Sequence, residues 1–262
     1  MGKIVLTNKN AGTNYRNKLS YKLTKPMRLS NCEVCLSDIS MYYSWPNIKS
    51  SYGNNKFKYT RLTDNKVFDV ELPDGSYEVK DINSYLRFVM VRNGDKSDIV
   101  DKKERYPIEM YINTLLYTVT ILTNDKFTLQ LPIDGLGKVL GFTEAAQEGD
   151  EYVVIGPHTD LNNKGENGNT IPQIERVESV FVHCNLVDNE HQLDNYLLHR
   201  FTPEVPPGHL INIKPNYQDW SNAVHNRDIN EIEVWFTDQD NRPLDIKDPK
   251  ISVILQIKEK NL

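Results

Sequence analysis

Apolar and polar residues alternate with a period of two through most of this chain, and this pattern limits the fold more than any other feature. The segment "ISVILQIK" places four apolar residues on one face: Ile251, Val253, Leu255 and Ile257. The segment "INEIEVWFTD" does the same with Ile232, Val234 and Phe236. Because successive side chains of a β-strand point to opposite faces, strands are predicted over 230–237 and 251–258, with these residues in a core.

Further alternating segments lie earlier in the chain. "YPIEMYINTLLYTVTILTNDKFTLQLP" alternates at Ile108, Met110, Ile112, Tyr117, Val119, Ile121, Phe127, Leu129 and Leu131. We interpret it as a hairpin in which "TNDK" reverses the chain. "ERVESVFVHCNLVDN" places Val180, Val182, Cys184 and Leu186 on one face. About nine strands at irregular spacing, joined by long loops, favour an all-β antiparallel sandwich of the jelly-roll type.

One stretch has helical periodicity instead. In "DGSYEVKDINSYLRFVMVRNGD" the apolar side of the pattern is formed by Ile82, Tyr85, Leu86 and Val89. Asp81 is a suitable N-cap and Gly94 a suitable end. A single short helix in a strand-rich chain is predicted to cover an open edge or end of a sheet.

Charge and composition suggest three regions. Residues 1–28 contain seven basic residues and no acid, so the rest of this chain of net charge −5 carries −12. Such a segment predicts a flexible basic arm, which either contacts polyanions or is a solvated, partly disordered tail. The remainder, 29–262, is the predicted jelly-roll domain. Residues 143–176, rich in Gly, Asn and Glu, are predicted to form a long exposed excursion on an outer or inter-subunit surface.

The three cysteines leave two interpretations open. Cys32 and Cys35 have the C-x-x-C spacing, and Cys184 stands alone beside His183. A structural zinc site usually needs four ligands from two such pairs. We therefore favour half-buried strand residues with reduced thiols, which fits folding in the cytosol or nucleus.

The N-terminus has no apolar export signal, and no apolar run reaches the ~18–20 residues of a membrane span.

Signatures of enzymes are missing or incomplete. His183 with His199 is the nearest approach to a cupin metal pair, and their spacing does not make them converge. The sequence contains no P-loop, no G-x-G-x-x-G and no G-x-S-x-G. "DGLGKVLGF" is interpreted as a tight turn without a helix behind it. Glu231 and Glu233 are assigned to the solvated face of a strand. We predict no catalytic, cofactor-binding or metal-binding residues.

The carboxylates of "DQDNRP" raise the question of a calcium loop. Asp238 and Asp240 are followed by Arg242 and Pro243, and the glycine that a calcium-binding EF-hand loop requires is absent. Asp and Asn also bond to their own backbone in turns. We therefore predict an exposed connection in which Asp238 and Asp240 reverse the chain without a metal.

Several stretches resemble the minor capsid, or penton, proteins of Polinton (Maverick) elements and their adintovirus-like relatives. In order along the chain they are "LSDISMYYSWPNI", "NNKFKYT", "LPDGSYEVKDINSYL", "LQLPIDGLGKVLGF", "VHCNLVDN" and "IEVWFTDQDNRPLDIKDPKISVILQIK". They span roughly residues 36–262 and occur in the family's order. Each is a short strand or turn pattern, so the resemblance depends on their joint order.

The resemblance implies a single jelly roll, with an insertion or long loops and about one short helix. It also implies a non-enzymatic virion protein that forms homopentamers at icosahedral vertices, ringed by double jelly-roll trimers of a major capsid protein. Such a protein is made in the host cytoplasm, without a membrane span and without cofactors. Two alternatives remain open: a cellular β-sandwich binding module of the lectin-like or TNF-like type, and a cupin-like metalloenzyme.

Overall fold

The structure, a computed structural model, describes most of the chain as two compact units. The described residues are 2–7, 17–95, 98–100, 103–144, 147, 149–158, 165–188, 195–216, 219–225 and 227–260. Unit 1 comprises Met1–Trp45 and Val177–Leu262, and unit 2 comprises Pro46–Arg176. Unit 2 is therefore an insertion in the chain of unit 1.

The described chain is mostly β-strand. The strands are β1 (Gly2–Thr7), β2 (Lys18–Arg28), β3 (Cys32–Tyr42), β4 (Lys56–Arg61), β5 (Lys66–Glu71), β6 (Asp98–Val100), β7 (Lys103–Arg105), β8 (Ile108–Asn113), β9 (Thr118–Thr123), β10 (Phe127–Pro132), β11 (Tyr152–Ile155), β12 (Glu166–Asn167), β13 (Val180–Cys184), β14 (Leu197–Phe201), β15 (Leu210–Ile213), β16 (Ser221–Asn222), β17 (Asp228–Thr237) and β18 (Ser252–Glu259). The helices are α1 (Val79–Arg92) and the single turn α2 (Lys138–Leu140), with a 3-10 turn at Ser50–Tyr52 and a π-helical turn at Ile133–Gly137. No helix in this part of the chain is long and apolar enough to cross a membrane.

Unit 1 is an antiparallel sandwich. One sheet has the order β1-β18-β3-β15, with β16 also pairing with β3, and the other has the order β14-β13-β17-β2. A single hydrophobic cluster contains residues of both sheets. Together with the insertion of unit 2, this confirms the predicted fold class of an all-β single jelly roll with an insertion.

The two C-terminal strands follow the sequence pattern. β18 is the second strand of one sheet, and β17 is the third strand of the other. The predicted core residues are all buried, namely Ile232, Val234, Phe236, Ile251, Val253, Leu255 and Ile257. Their alternation is thus explained by the sandwich, in which each strand presents one face to the shared core.

The prediction of a flexible arm over residues 1–28 is wrong for residues 2–7 and 18–28. β1 pairs with β18 in the register Gly2↔Ile257, and β2 pairs with β17 in the register Lys18↔Trp235. Leu6 and Leu19 are completely buried in the unit 1 core. The basic residues alternate with apolar ones, so strands can bury the apolar face and leave the charges outside. Residues 8–16 lie outside the described residues.

Unit 2 has its own hydrophobic cluster and three sheets. Their orders are β11-β10-β4-β5, β12-β9-β8 and β6-β7. The predicted hairpin is wrong in its turn, because "TNDK" connects β9 to β10, which lie in different sheets, whereas β8 pairs with β9 through residues 114–117. Alternation identifies which residues share a face but does not identify the partner strand.

Helix α1 begins earlier than predicted. Its N-cap is Glu78, and the carboxylate of Asp81 accepts the Glu78 backbone N–H at 2.9 Å in a capping box. Gly94 follows the helix with a positive φ of 81°, as expected for the end of a helix. Ile82 and Leu86 are buried as predicted. The assignment of Asp81 as N-cap is therefore wrong by three positions.

The described part of the 143–176 segment belongs to unit 2. β11 pairs with β10 and buries Val153 and Ile155 in the unit 2 cluster, whereas Val154 and Ile171 are exposed. The prediction that the whole segment lies on a surface is therefore wrong at β11. Residues 145, 146, 148 and 159–164 of this segment lie outside the described residues.

Candidate functional site

Two of the three cysteine thiols of unit 1 are buried in its core. Cys35 and Cys184 are buried, and burial raises the pKa of both thiols, that of Cys184 to about 12. Cys32 is half-buried and donates its thiol proton to the carbonyl of Ser30 at 3.2 Å. Because the thiolate is the reactive form, the raised pKa values of Cys35 and Cys184 suit packing rather than redox chemistry. Within the described ranges, no group of three or more His, Cys, Asp or Glu could hold a metal ion.

The two histidines considered for a cupin pair have different surroundings. His183 is buried, with Nε2 2.8 Å from the Thr237 hydroxyl and its ring stacked on Trp235 at 5.3 Å between centroids. His199 lies on β14 and lines a cleft. Burial lowers the pKa of His199, and nearby Asp219 opposes that shift. His183 therefore packs against β17, whereas His199 is accessible to solvent from the cleft.

A half-open cleft lies beside His199 on unit 1. It encloses about 260 Å³ between β14 and the segment leading into β16, and its lining consists of Leu197, Leu198, His199, Arg200, Asp219, Trp220, Ser221 and Asn222. The Lys258 ammonium lies 4.1 Å from the centre of the Trp220 ring. Sequence reasoning missed Asp219 and Trp220 because two distant segments form this cleft and neither carries a motif.

The "DQD" turn is organised by one buried carboxylate. Asp238 Oδ1 accepts the backbone N–H groups of Asp240 and Arg242, both at 2.9 Å, and Oδ2 accepts Arg242 Nε–H at 2.8 Å. Arg242 also pairs with Asp240. Asp238 is only 3% exposed, so the prediction of an exposed position is wrong for Asp238 and holds for Asp240. The predicted role of Asp238 in reversing the chain agrees with these bonds.

Two other polar groups of the sequence analysis have structural partners. Glu233 pairs with Lys18, and Glu231 accepts a hydrogen bond from the Ser20 hydroxyl, across the β17–β2 ladder. In unit 2 the buried Asp95 carboxylate accepts the Tyr59 hydroxyl and an Arg61 guanidinium N–H, each at 2.7 Å. These carboxylates hold neighbouring elements together and are already bonded to protein groups.

The glycines of "DGLGKVLGF" are required by close backbone packing. The chain forms the π-helical turn and α2 here, so the prediction of a turn without a helix is wrong by one helical turn. A Cβ on Gly137 would lie 2.6 Å from the Pro132 carbonyl oxygen and 2.8 Å from that of Phe142. A Cβ on Gly141 would lie 2.3 Å from the Thr170 carbonyl oxygen. The pattern thus reflects contacts between backbone segments within unit 2.

The β8–β9 hairpin ends in an unusually exposed apolar surface, which we call the apolar tip. It consists of Tyr111, Ile112, Leu115, Leu116 and Tyr117, with 45, 50, 88, 55 and 71% of each residue exposed. The alternation pattern predicted that Ile112 and Tyr117 share the face of buried residues, and this is wrong. The strands extend past the core at this end, so both faces of the hairpin are in contact with solvent.

Comparison with protein families finds no match, and comparison with curated proteins finds none either. Solved structures do match. A crystal structure of the selenomethionine-labelled mavirus penton protein superimposes with a TM-score of 0.50 and 12% identity, covering 99% of this chain and 100% of that chain. The chain has the fold of a penton protein.

This likeness confirms, at the level of the fold, the resemblance to penton proteins that the sequence suggested. It extends over the whole of both chains, so it includes both unit 1 and the inserted unit 2. At 12% identity it transfers a fold and not individual residues. A contact surface on this chain must therefore be argued from its own side chains.

Proposed function

We propose that this chain is a penton subunit, a structural protein of a viral capsid. The observation that carries the proposal is the likeness to the mavirus penton protein over essentially the full length of both chains. A shared jelly roll alone would be weak support, because many unrelated proteins use that fold. The likeness covers 99% of this chain and 100% of that chain, so it is not confined to the jelly roll.

The side-chain chemistry of the described residues supports a non-enzymatic role. The buried thiols have raised pKa values, His183 packs on Trp235, and the Asp238 carboxylate is bonded to its own turn. Each of these groups would need to be freed or deprotonated before it could act as a nucleophile, a base or a metal ligand.

The finer assignment is a homopentamer at the capsid vertices of a Polinton-like or adintovirus-like particle, surrounded by double jelly-roll major capsid trimers. Basic residues on β2 could contact genome or inner capsid proteins in this setting, because Lys22, Lys25 and Arg28 are exposed. This contact would come from an ordered strand rather than from a flexible arm. Assembly in the host cytoplasm or nucleus is compatible with this proposal.

The decisive experiment is the mass of the purified full chain in solution, measured by light scattering over a range of concentrations. A species of five times the 30.3 kDa chain mass is expected. Electron micrographs of the same sample should show fivefold rings. A trimer would favour the TNF-like alternative, and a monomer at every concentration would contradict the pentamer.

A second candidate, a lectin-like binding module, is favoured by the cleft around Trp220. The Trp220 indole, one face of which lies against the Lys258 ammonium, is next to the polar side chains of Asp219, Asn222 and His199, and sugar-binding sites also combine an aromatic ring with polar groups. Saturation-transfer NMR with a panel of monosaccharides tests this, with Trp220→Ala as the variant that should abolish any signal. Loss of binding in Trp220→Ala, together with a monomeric mass, would replace the capsid proposal. The cupin-like alternative gains no observation of this kind.

A further inference from the structure

The apolar tip of unit 2 is not buried by the part of the chain that the structure describes. Between Met110 and Val119 no residue is buried, so the five apolar side chains of the tip are not covered by the fold. Residues 110–124 also contain no charged residue, in a chain in which 26% of residues are charged. We propose that the apolar tip is a shallow membrane anchor, which inserts into one leaflet of a lipid bilayer.

Two backbone N–H groups in the turn of the apolar tip are hydrogen-bonded to a side chain of the same hairpin. Asn113 Oδ1 accepts the backbone N–H groups of Leu115 at 3.2 Å and Leu116 at 3.3 Å. Asn113 also pairs with Thr118 in the strand ladder and donates from Nδ2 to the Thr120 hydroxyl at 3.4 Å. Backbone groups that enter lipid must be satisfied internally, because no water is available to replace their partners. The turn meets this requirement at the backbone N–H groups of Leu115 and Leu116.

Backbone strain at Tyr117 points to a need for its side chain. Tyr117 has a φ of +55°, in the left-handed region, and the other described non-glycine residues with positive φ are Asn31, Asn65 and Asn241. Asn adopts this conformation readily, whereas a bulky residue adopts it rarely and at an energetic cost. Gly or Asn would relieve the strain at position 117, which is consistent with a contribution of the aromatic ring outside the folding of the turn. Tyr prefers the boundary between lipid and water, where its ring is buried and its hydroxyl is hydrated.

The arrangement of the tip matches that boundary. Tyr111 and Tyr117 lie before and after the adjacent leucines, so the leucines can enter the acyl region while the tyrosines remain at headgroup depth. An interfacial segment typically penetrates about 5–10 Å. A charged side chain here would oppose insertion strongly, and the tip has none.

The size of the surface favours lipid over a stable protein interface. A standard protein interface uses about 20–30 residues on each side and about 800 Å² per partner. The apolar tip supplies five residues on one hairpin. Lipid needs no complementary pocket, and several weak anchors on one assembly add through avidity. The inference does not rest on the capsid proposal, although a pentamer would present five tips.

Vesicle flotation with the full chain tests the proposal. Wild type should float with phosphatidylcholine vesicles, equally at about 0.15 M and about 0.5 M NaCl, because apolar insertion is not screened by salt. The double variant Leu115→Asp with Leu116→Asp should bind at least about ten-fold less, since two charges would have to enter the interface. The matched control is Ile171→Asp, which places the same charge on another apolar residue of unit 2 that is 69% exposed.

A second variant protects the test against misfolding. Tyr117→Gly removes the aromatic ring and relieves the positive φ, so it should keep the fold and still lose vesicle binding several-fold. The tryptophan fluorescence of the Tyr117→Trp variant should be quenched by brominated lipid more strongly than that of the wild type. Circular dichroism and thermal unfolding establish that each variant is folded.

Four results would overturn the proposal. Wild type that does not float with vesicles has no anchor, and equal loss in Ile171→Asp would make the effect non-specific. Binding that vanishes at high salt would indicate adsorption by exposed basic residues such as Lys22 and Lys25 instead. A change in solution mass of the double variant, without vesicle binding by wild type, would assign the tip to contacts between copies of this chain.

Discussion

Units 1 and 2 are both antiparallel β-structures, each with a core of its own. They differ in how far apart along the sequence their paired strands lie. In unit 1 the first strand pairs with the last, in the register Gly2↔Ile257, and β3 pairs with β18 from Ser40↔Ser252 to Cys32↔Glu259. Unit 2 contains ladders between chain neighbours, such as β4–β5, β8–β9 and β10–β11. The jelly roll therefore closes only after the whole chain is available, whereas unit 2 is complete in one continuous segment.

This difference has energetic and kinetic consequences. Closing a loop costs entropy that grows slowly with its length, so the insertion of unit 2 between β3 and β13 is tolerable for unit 1. Non-local pairing nevertheless slows folding, because the closure entropy is paid before the contacts form. Unit 2 should fold early and independently, and unit 1 should fold late. The chain also provides a probe, since Trp45, Trp220 and Trp235 all lie in unit 1.

The largest expected effect comes from removing the last strand. Deletion of residues 252–262 removes β18, which pairs with both β1 and β3, so unit 1 should fail to fold. Unit 2 should keep its structure, because its cluster contains no residue of β18. Hydrogen exchange measures both: peptides of β3 and β17 should exchange freely, and peptides of α1 and β10 should stay protected. Loss of protection in α1 would show that unit 2 depends on the jelly roll.

Matched cavities in the two cores should have effects confined to one unit each. Leu255→Ala in β18 and Leu129→Ala in β10 each truncate a completely buried leucine, and each should cost about 2–5 kcal/mol. Denaturant unfolding followed by tryptophan fluorescence should detect the Leu255 variant, and exchange of unit 2 amides should detect the Leu129 variant. If Leu129→Ala shifted the tryptophan transition as strongly as Leu255→Ala, the two units would unfold together.

The same contrast explains what could be predicted from the sequence. Strands β17 and β18 were predicted with their buried residues, because each lies with one face on a core and alternates cleanly. The pairing of β1 and β2 was missed, since a strand's partner depends on segments more than two hundred residues away and basic side chains on its outer face resemble a free arm.

The candidate sites were harder to predict than the strands. The cleft combines residues 197–200 with 219–222, which no local pattern connects. The apolar tip could have been noticed as an uncharged run, but alternation assigned Ile112 and Tyr117 to the buried face. Whether a strand extends past its core depends on the length of its neighbours, and the sequence of the strand itself does not contain that information.

A smaller effect should separate the two carboxylates of the β17–β18 connection. Asp238→Ala leaves three donors without their acceptor and should cost about 1–3 kcal/mol, because Asp238 is buried. Asp240→Ala removes one exposed pair and should cost about 0.5–1 kcal/mol. Thermal unfolding followed by tryptophan fluorescence measures both, with and without a chelator. A larger cost for Asp240→Ala, or a wild-type melting point lowered by the chelator, would indicate a metal site in this turn.

The smallest expected effect is the pH dependence that His199 gives to unit 1. Burial lowers the pKa of His199 from its ordinary value of 6.5, so the folded chain binds this proton less readily than the unfolded chain. As the pH falls below about 6.5, the unfolded chain takes up the proton first and unit 1 loses stability, until the pH passes below the lowered folded pKa. His199→Gln should flatten this part of the tryptophan-detected stability profile. Asp219→Asn should steepen it, because Asp219 opposes the shift. A profile that His199→Gln leaves unchanged would assign the pH dependence to another group.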